Sequence, residues 1–361
     1  FRIAWRNLVR NKVFSAVNIL GLALGLACSL VIILWVHDER SVDGFHANNR
    51  YLYQVYIRES FDGKVNGGYL TQGPLAAELK RVEPEVAYAC SFQDYPPPVT
   101  FQSGEKIVKM SGAYAGADFL RMFSYPVVQG TKAAIDKPGT IAVSRHMAEV
   151  FFGSPEQAIG KVLRYENKED LIVSAVLDVP ANSSLQFDFL RNWEDFTKDN
   201  AWTKSWGSFS PATYIQLRAR ANPGKVAAKI RDFVYRYQPR NNGLDIELGL
   251  QPVSEKYLHA AFENGRPAGG RIEYVRLFTL LAVFILLIAC INFMNLATAR
   301  SVKRAKEVGV RKVVGALRSA LIAQFIGEAL LLAFIAALAA LAIVLLLLPA
   351  FNQLTGKQLV L

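Results

Sequence analysis

The sequence is short of the side chains that most chemistry needs. Its 361 residues include three cysteines and four histidines. Cys28 and Cys290 fall inside long apolar runs, and Cys90 stands alone in the polar middle of the chain. That middle segment can hold no internal disulfide and must rely on its own core, as its length permits. His37, His46, His146 and His259 are not spaced, with each other or with cysteine, as zinc ligands are. Structural or solvated roles suit them. Gly63-Lys64, Gly160-Lys161, Gly224-Lys225 and Gly356-Lys357 all lack the hydroxyl residue and upstream glycine of a phosphate-binding loop. Ser-Trp-Gly-Ser-Phe-Ser at 205–210 is not a Gly-x-Ser-x-Gly elbow. Glu83/Glu85 and Glu169/Asp170 lie in polar surroundings and read as solvated faces. The expectation is a non-catalytic chain with no metal, cofactor or ATP site of its own.

A nucleic-acid footprint is also missing. Net charge is +11, but the excess sits at two places. Residues 1–13 carry Arg2, Arg6, Arg10 and Lys12 and no acid; residues 300–318 carry seven bases against Glu307. The long segment 37–276 holds 29 Lys and Arg against 28 Asp and Glu, a net of +1. No basic stripe interleaved with aromatics appears. Basic residues crowded at the ends of apolar runs mark topology instead.

What the chain does have is membrane-length apolar sequence. Three runs qualify: 14–36, 277–299 and 319–348. The second would be roughly 34 Å of helix, enough for a hydrocarbon core about 30 Å thick. The third would be about 45 Å, so it must tilt or project. With the basic flanks inside, the amino end is cytoplasmic and 37–276 lies on the outer side. An uncleaved first anchor is favoured over a cleaved signal sequence, because apolar residues continue from Val31 to Val36, past the Ala27-Cys28 pair. Residues 1–13 place arginine every fourth residue on one helical face, which suits an amphipathic interfacial helix; a plain basic flank is the alternative. The tail 349–361 is expected outside.

The middle segment reads as mixed α/β. Strands are expected at Tyr51–Ile57, Thr140–Val143, Leu171–Leu177 and Thr213–Leu217. Helices are expected at Leu75–Val82, opened by Pro74, and from the Ser144 cap through Phe152 to Gly153. A further helix is expected over Val226–Tyr237. Tyr95-Pro96-Pro97-Pro98 reads as a stiff connector, and Gly265–Gly270 as a loose loop.

Within the spans, Gly21, Gly25 and Ser29 form a small-residue face that admits another helix. Asn292 and Asn295 lie about one turn apart, as do Gln324 and Glu328. Polar groups in lipid need partners and are functional candidates. Interhelical hydrogen bonding is the plainer role, favoured for the asparagines; Glu328 could pair with the basic loop.

INFMNLATARSVKRAKEVGVRKVVGA, at 291–316, resembles the junction of FtsX-like ABC transporter permeases. FRIAWRNLVRNKVFSAVNILGLALGLA and DERSVDGFHANNRYLYQV resemble the MacB-type branch with a large periplasmic core domain, as found in Bacteroidetes-like bacteria. GAYAGADFLRMFSYPVVQG, VFFGSPEQAIGKVL and DVPANSSLQFDF extend the match over essentially the whole chain. A fourth span, which the family has, is not reached, and the chain reads as truncated.

The resemblance implies an inner-membrane, multi-pass protein with a two-lobed periplasmic domain. It implies an ABC ATPase subunit as partner, which would bind the ATP and Mg, and a second permease copy or half. Lys303, Arg304, Lys306, Glu307, Arg311, Lys312 and Arg318 would meet that ATPase. A periplasmic adaptor or outer-membrane channel could follow. Two functions fit: mechanotransmission driving efflux or extraction of an amphiphile, peptide or antibiotic, or a signalling stroke that activates a cell-wall hydrolase or sensor kinase. A sensory receptor fits less well, because it explains neither the third span nor the basic loop.

Overall fold

The computed structural model describes residues 12–240, 243–303, 308–310, 313–314 and 317–361. Two compact units result, Arg40–Ile272 and the helical remainder on either side of it. The interfacial helix expected at 1–13 lies, but for its last two residues, outside the described residues.

Among the described residues, three helices are long and apolar enough to cross a membrane. They run Lys12–Ser41, Arg271–Lys303 and Arg318–Thr355. Each exceeds its apolar run. The last continues through Pro349, so much of the expected tail is helical. It stops at Gly356, whose φ of 68° is the left-handed cap conformation that glycine tolerates. Asn352 then holds the tail, donating to the Leu359 carbonyl and accepting from its N–H, each at 3.0 Å.

The α/β domain is built on one sheet. Its strands are β1 Leu52–Phe61, β2 Lys64–Gly68, β3 Leu70–Gln72, β4 Val86–Ser103, β5 Lys106–Ala115 and β6 Val127–Gly130. They continue with β7 Thr140–Ser144, β8 Val162–Tyr165, β9 Glu169–Leu177, β10 Phe189–Asn192, β11 Phe209–Leu217 and β12 Leu244–Pro252. The main path is β12-β1-β11-β4-β5-β10-β7-β9-β6. β5–β10 and β7–β9 pair in parallel; the other neighbours are antiparallel.

Two helices form where their end signals demand. Leu75–Val82 buries Leu75, Ala76 and Leu79. Arg145–Phe152 is capped by Ser144, whose Oγ accepts from the Met147 N–H, and ends at left-handed Gly153. The helix expected over Val226–Tyr237 is shorter: Pro223–Ile230, capped by Asn222, then a separate turn at Phe233–Arg236. The Arg231 carbonyl accepts instead from the Leu248 N–H of β12, which diverts the helical ladder.

Two loop expectations fail. Residues 95–98 are no connector but a register slip inside the 18-residue β4, between the Tyr95 and Val99 pairs with β5. Proline lacks the ladder donor, and a bulge tolerates that. The stretch before the second long helix contains a hairpin, β13 Phe262–Glu263 with β14 Arg266–Pro267. Asn264 and Gly265 both have positive φ, the requirement of a tight two-residue turn.

β4 threads the apolar core. Val86 and Ala89 pack with the β1–β11–β12 side. Cys90 and Phe92 belong to the central cluster. Val99 and Phe101 pack with the helix Arg145–Phe152 and β7–β9.

Candidate packing and coupling sites

Small residues let the first two long helices touch. A Cβ on Gly25 would stand 2.4 Å from the Cβ of Ala289. Gly21 faces Asn292, whose Nδ2 is 3.3 Å from the corresponding position. Ser29 Oγ donates to the Ala282 carbonyl at 3.1 Å. The pairing is antiparallel, and Trp35 meets Phe278 edge-on further along, at 5.1 Å between ring centres. The third helix supplies Ala336, Ala340 and Val344 to the same cluster. Sequence reading missed these, although alanine at i and i+4 is a recognisable small-residue signal.

The polar residues of the spans divide. Asn292 and Asn295 are exposed, Asn292 while lying against Gly21. Glu328 is buried and accepts from Gln324 Nε2 at 3.3 Å. Asn18, which sequence reading passed over, is buried too.

Arg304, Lys306, Glu307, Arg311 and Lys312 lie outside the described residues. Lys303 ends the second long helix and exposed Arg318 opens the third. At the other end of the helical unit, Lys357 pairs with Asp38 and, at 2.6 Å, with Glu39. Glu39 is 1% exposed, so the ammonium offsets a buried charge.

The α/β domain grips the chain at both of its ends. On the incoming side, the Asp43 N–H donates to the Asn182 carbonyl at 2.9 Å. Asp43 Oδ1 accepts from the Ser184 N–H at 2.8 Å. Asn182 Nδ2 donates to the carbonyl of Ser41, the last residue of the first helix, at 3.2 Å. Asp43 itself has φ 60°, a conformation Asp tolerates better than most residues. His46 follows, buried beside Phe45, Phe123 and Tyr125. Its Nδ1 accepts from the Ser124 N–H at 3.1 Å. Burial pushes its pKa down to about 4.

On the outgoing side, Tyr69 donates to Gln251 Oε1 at 2.6 Å, and Gln251 Nε2 donates to the His259 carbonyl at 2.8 Å. Phe262 lies on Gly67, where any Cβ would collide with its ring. Thus the stretches 38–55, 112–130 and 178–189, recognised separately in sequence, converge on the incoming grip.

Away from both grips lies a polar cleft of about 500 Å³ lined by Tyr114, Tyr165, Glu169, Arg191 and Asp195. Arg191 is 2% exposed. It pairs with Glu169 at 2.7 Å and Asp195 at 3.5 Å, and its guanidinium covers the Tyr165 ring at 4.4 Å. Lys198, 3.2 Å from Asp195, balances the second carboxylate, and the network ties β9 and β10 together.

Residues 15–233 match the family described as MacB-like periplasmic core domain, and residues 279–360 match the FtsX-like permease C-terminal family. The chain is 23% identical over 364 residues to the pyoverdine export ATP-binding/permease protein PvdT of Pseudomonas syringae, covering 94% of this chain and 50% of that protein. It is 21% identical over 348 residues to the macrolide export ATP-binding/permease protein MacB 1 of Yersinia pestis, covering 92% of this chain and 50% of the relative. The chain thus spans about half the length of the curated relatives it matches. A solved domain described as belonging to a permease of Porphyromonas gingivalis shares the fold at a TM-score of 0.51 and 18% identity, over 64% of this chain and 98% of the domain. The chain belongs to the MacB/FtsX-like family of ABC transporter permeases.

Proposed function

We propose that this chain is the transmembrane part of an exporter driven by ATP hydrolysis outside these 361 residues, and that it moves an amphiphile, peptide or antibiotic by mechanotransmission. The observation that carries this reading is the order of parts. A basic segment at 300–318 separates two spanning helices, and the first and second spanning helices each continue directly into a gripped end of the α/β domain. Force applied at the basic segment has a continuous helical path to that domain. The basic flanks support a reading with this segment and the amino end in the cytoplasm and the domain in the periplasm, across the inner membrane. Lys303, Arg304, Lys306, Glu307, Arg311, Lys312 and Arg318 contact the ATPase, which holds ATP and Mg. A second permease copy or half completes the transporter, and a periplasmic adaptor or outer-membrane channel receives the cargo. The exporter names of the relatives favour export over activation of a cell-wall hydrolase or sensor kinase.

Co-purification tests the reading. The full-length protein should bring down an ABC ATPase, and Arg311→Glu with Lys312→Glu should abolish that association by replacing attraction with like-charge repulsion. Unchanged association would reject the coupling segment; absence of any ATPase would reject the exporter reading itself. A peptidoglycan hydrolase in place of an adaptor would move the assignment to signalling.

A further inference from the structure

The incoming and outgoing grips are formed by different segments, yet they share one polar centre. The short helix Val253–Lys256 follows β12 and packs against residues 49–51 of the incoming segment. Lys256 at its end is partly buried. Its ammonium donates to the Tyr214 hydroxyl at 3.1 Å. It also stands 5.4 Å from the Tyr69 ring centre and 5.6 Å from that of Tyr214. The carboxylates of Asp94 and Asp43 both act on it, against a desolvation that lowers its pKa. Asp43 is the residue that holds Ser184 in the incoming grip. Tyr69 is the residue that holds Gln251 in the outgoing one.

Neighbouring polar atoms are left over. Among the described residues, Asp43 Oδ2 and both polar atoms of the Gln54 side chain are buried without a partner. Gln54 sits in register between Gln251 of β12, which belongs to the outgoing grip, and Tyr214 of β11, which meets Lys256. Buried polar groups in such a setting are ordinarily bridged by ordered water. No direct ion pair joins Asp43 to Lys256 among the described residues, so water is the natural link.

We propose that Lys256 is a positioning residue that pins the incoming and outgoing segments of the α/β domain together, through Asp43 on one side and Tyr69 on the other, with ordered water between Lys256, Asp43 and Gln54. The pin makes the two grips open or hold as one. Its importance for transport rests on the mechanical reading above, but its existence does not.

Amide hydrogen exchange on the full chain in lipid nanodiscs, without nucleotide, tests it. Lys256→Met should speed exchange about tenfold in both 41–51 and 253–261, leaving 141–177 unchanged. Asp43→Asn keeps an acceptor for Ser184 but removes the charge, and should speed exchange at 253–261, remote in sequence. Lys256→Arg should restore most of the protection. Acceleration confined to 253–261 in Lys256→Met, acceleration spread evenly over the domain, or no effect of Asp43→Asn at 253–261 would each overturn the pin. ATP plays no part in this measurement, so a failure to bind an ATPase leaves it intact. A lost pin likewise leaves the ATPase assignment standing.

Discussion

Gly25 lies in contact with Ala289, with no room between the two helix backbones for a side chain on Gly25. Gly25→Leu should therefore force the first and second long helices apart, costing about 1–3 kcal/mol. Thermal unfolding of the detergent-solubilised chain should show it. Ala289→Gly, which only widens the gap, should cost less than Gly25→Leu.

Lys357 holds Asp38 and Glu39 together at one end of the helical unit. Lys357→Met should cost on the order of 2 kcal/mol, because Glu39 loses an ion-pair partner at a buried position. Asp38→Asn should cost clearly less. Equal losses in the two variants would show that Glu39 draws its support elsewhere.

His46 confers a pH dependence of known sign. Burial holds its folded-state pKa at about 4, below the usual 6.5. Between those values the unfolded chain binds the extra proton and the folded chain does not, so stability falls as pH drops from about 6.5 to about 4. The loss would approach about 3 kcal/mol. Denaturant titrations across that window should show a shallower acid slope for His46→Gln than for the unaltered protein.

Arg191 is not replaceable by lysine. It meets Glu169 and Asp195 while covering an aromatic ring, and an ammonium lacks the planar fork that does both. Arg191→Met should destabilise the domain by about 3 kcal/mol, and Arg191→Lys should recover only part of that. Full recovery with lysine would reduce the network to a simple charge requirement.

Elements bounded by local signals were legible in the sequence. The helix 145–152 has its serine cap and its terminal glycine, and the small face at Gly21, Gly25 and Ser29 follows from spacing alone. The partner of that face did not follow, because nothing near Gly25 points to Ala289. The incoming grip was hidden for the same reason: Asp43 and Ser184 are 141 positions apart. The hairpin at 262–267 was a missed local signal, since Asn264-Gly265 is a strong turn pair. The stiffness of the proline run suggests a connector, but stiffness does not stop a strand from pairing on either side of it. β4 keeps its pairing partner β5 on both sides of the slip, so the chain continues as one strand.

That slip bears on compliance. β4 contributes to all three apolar clusters of the α/β domain, so one ribbon runs through them. A ribbon hydrogen-bonded along its length resists bending, except where its ladder is broken. Residues 96–98 are where β4 loses its pairing with β5, and all three are prolines without a donor to restore it. Any bending of β4 should concentrate over those three positions, which turns a defect in the sheet into the strand's natural fold line.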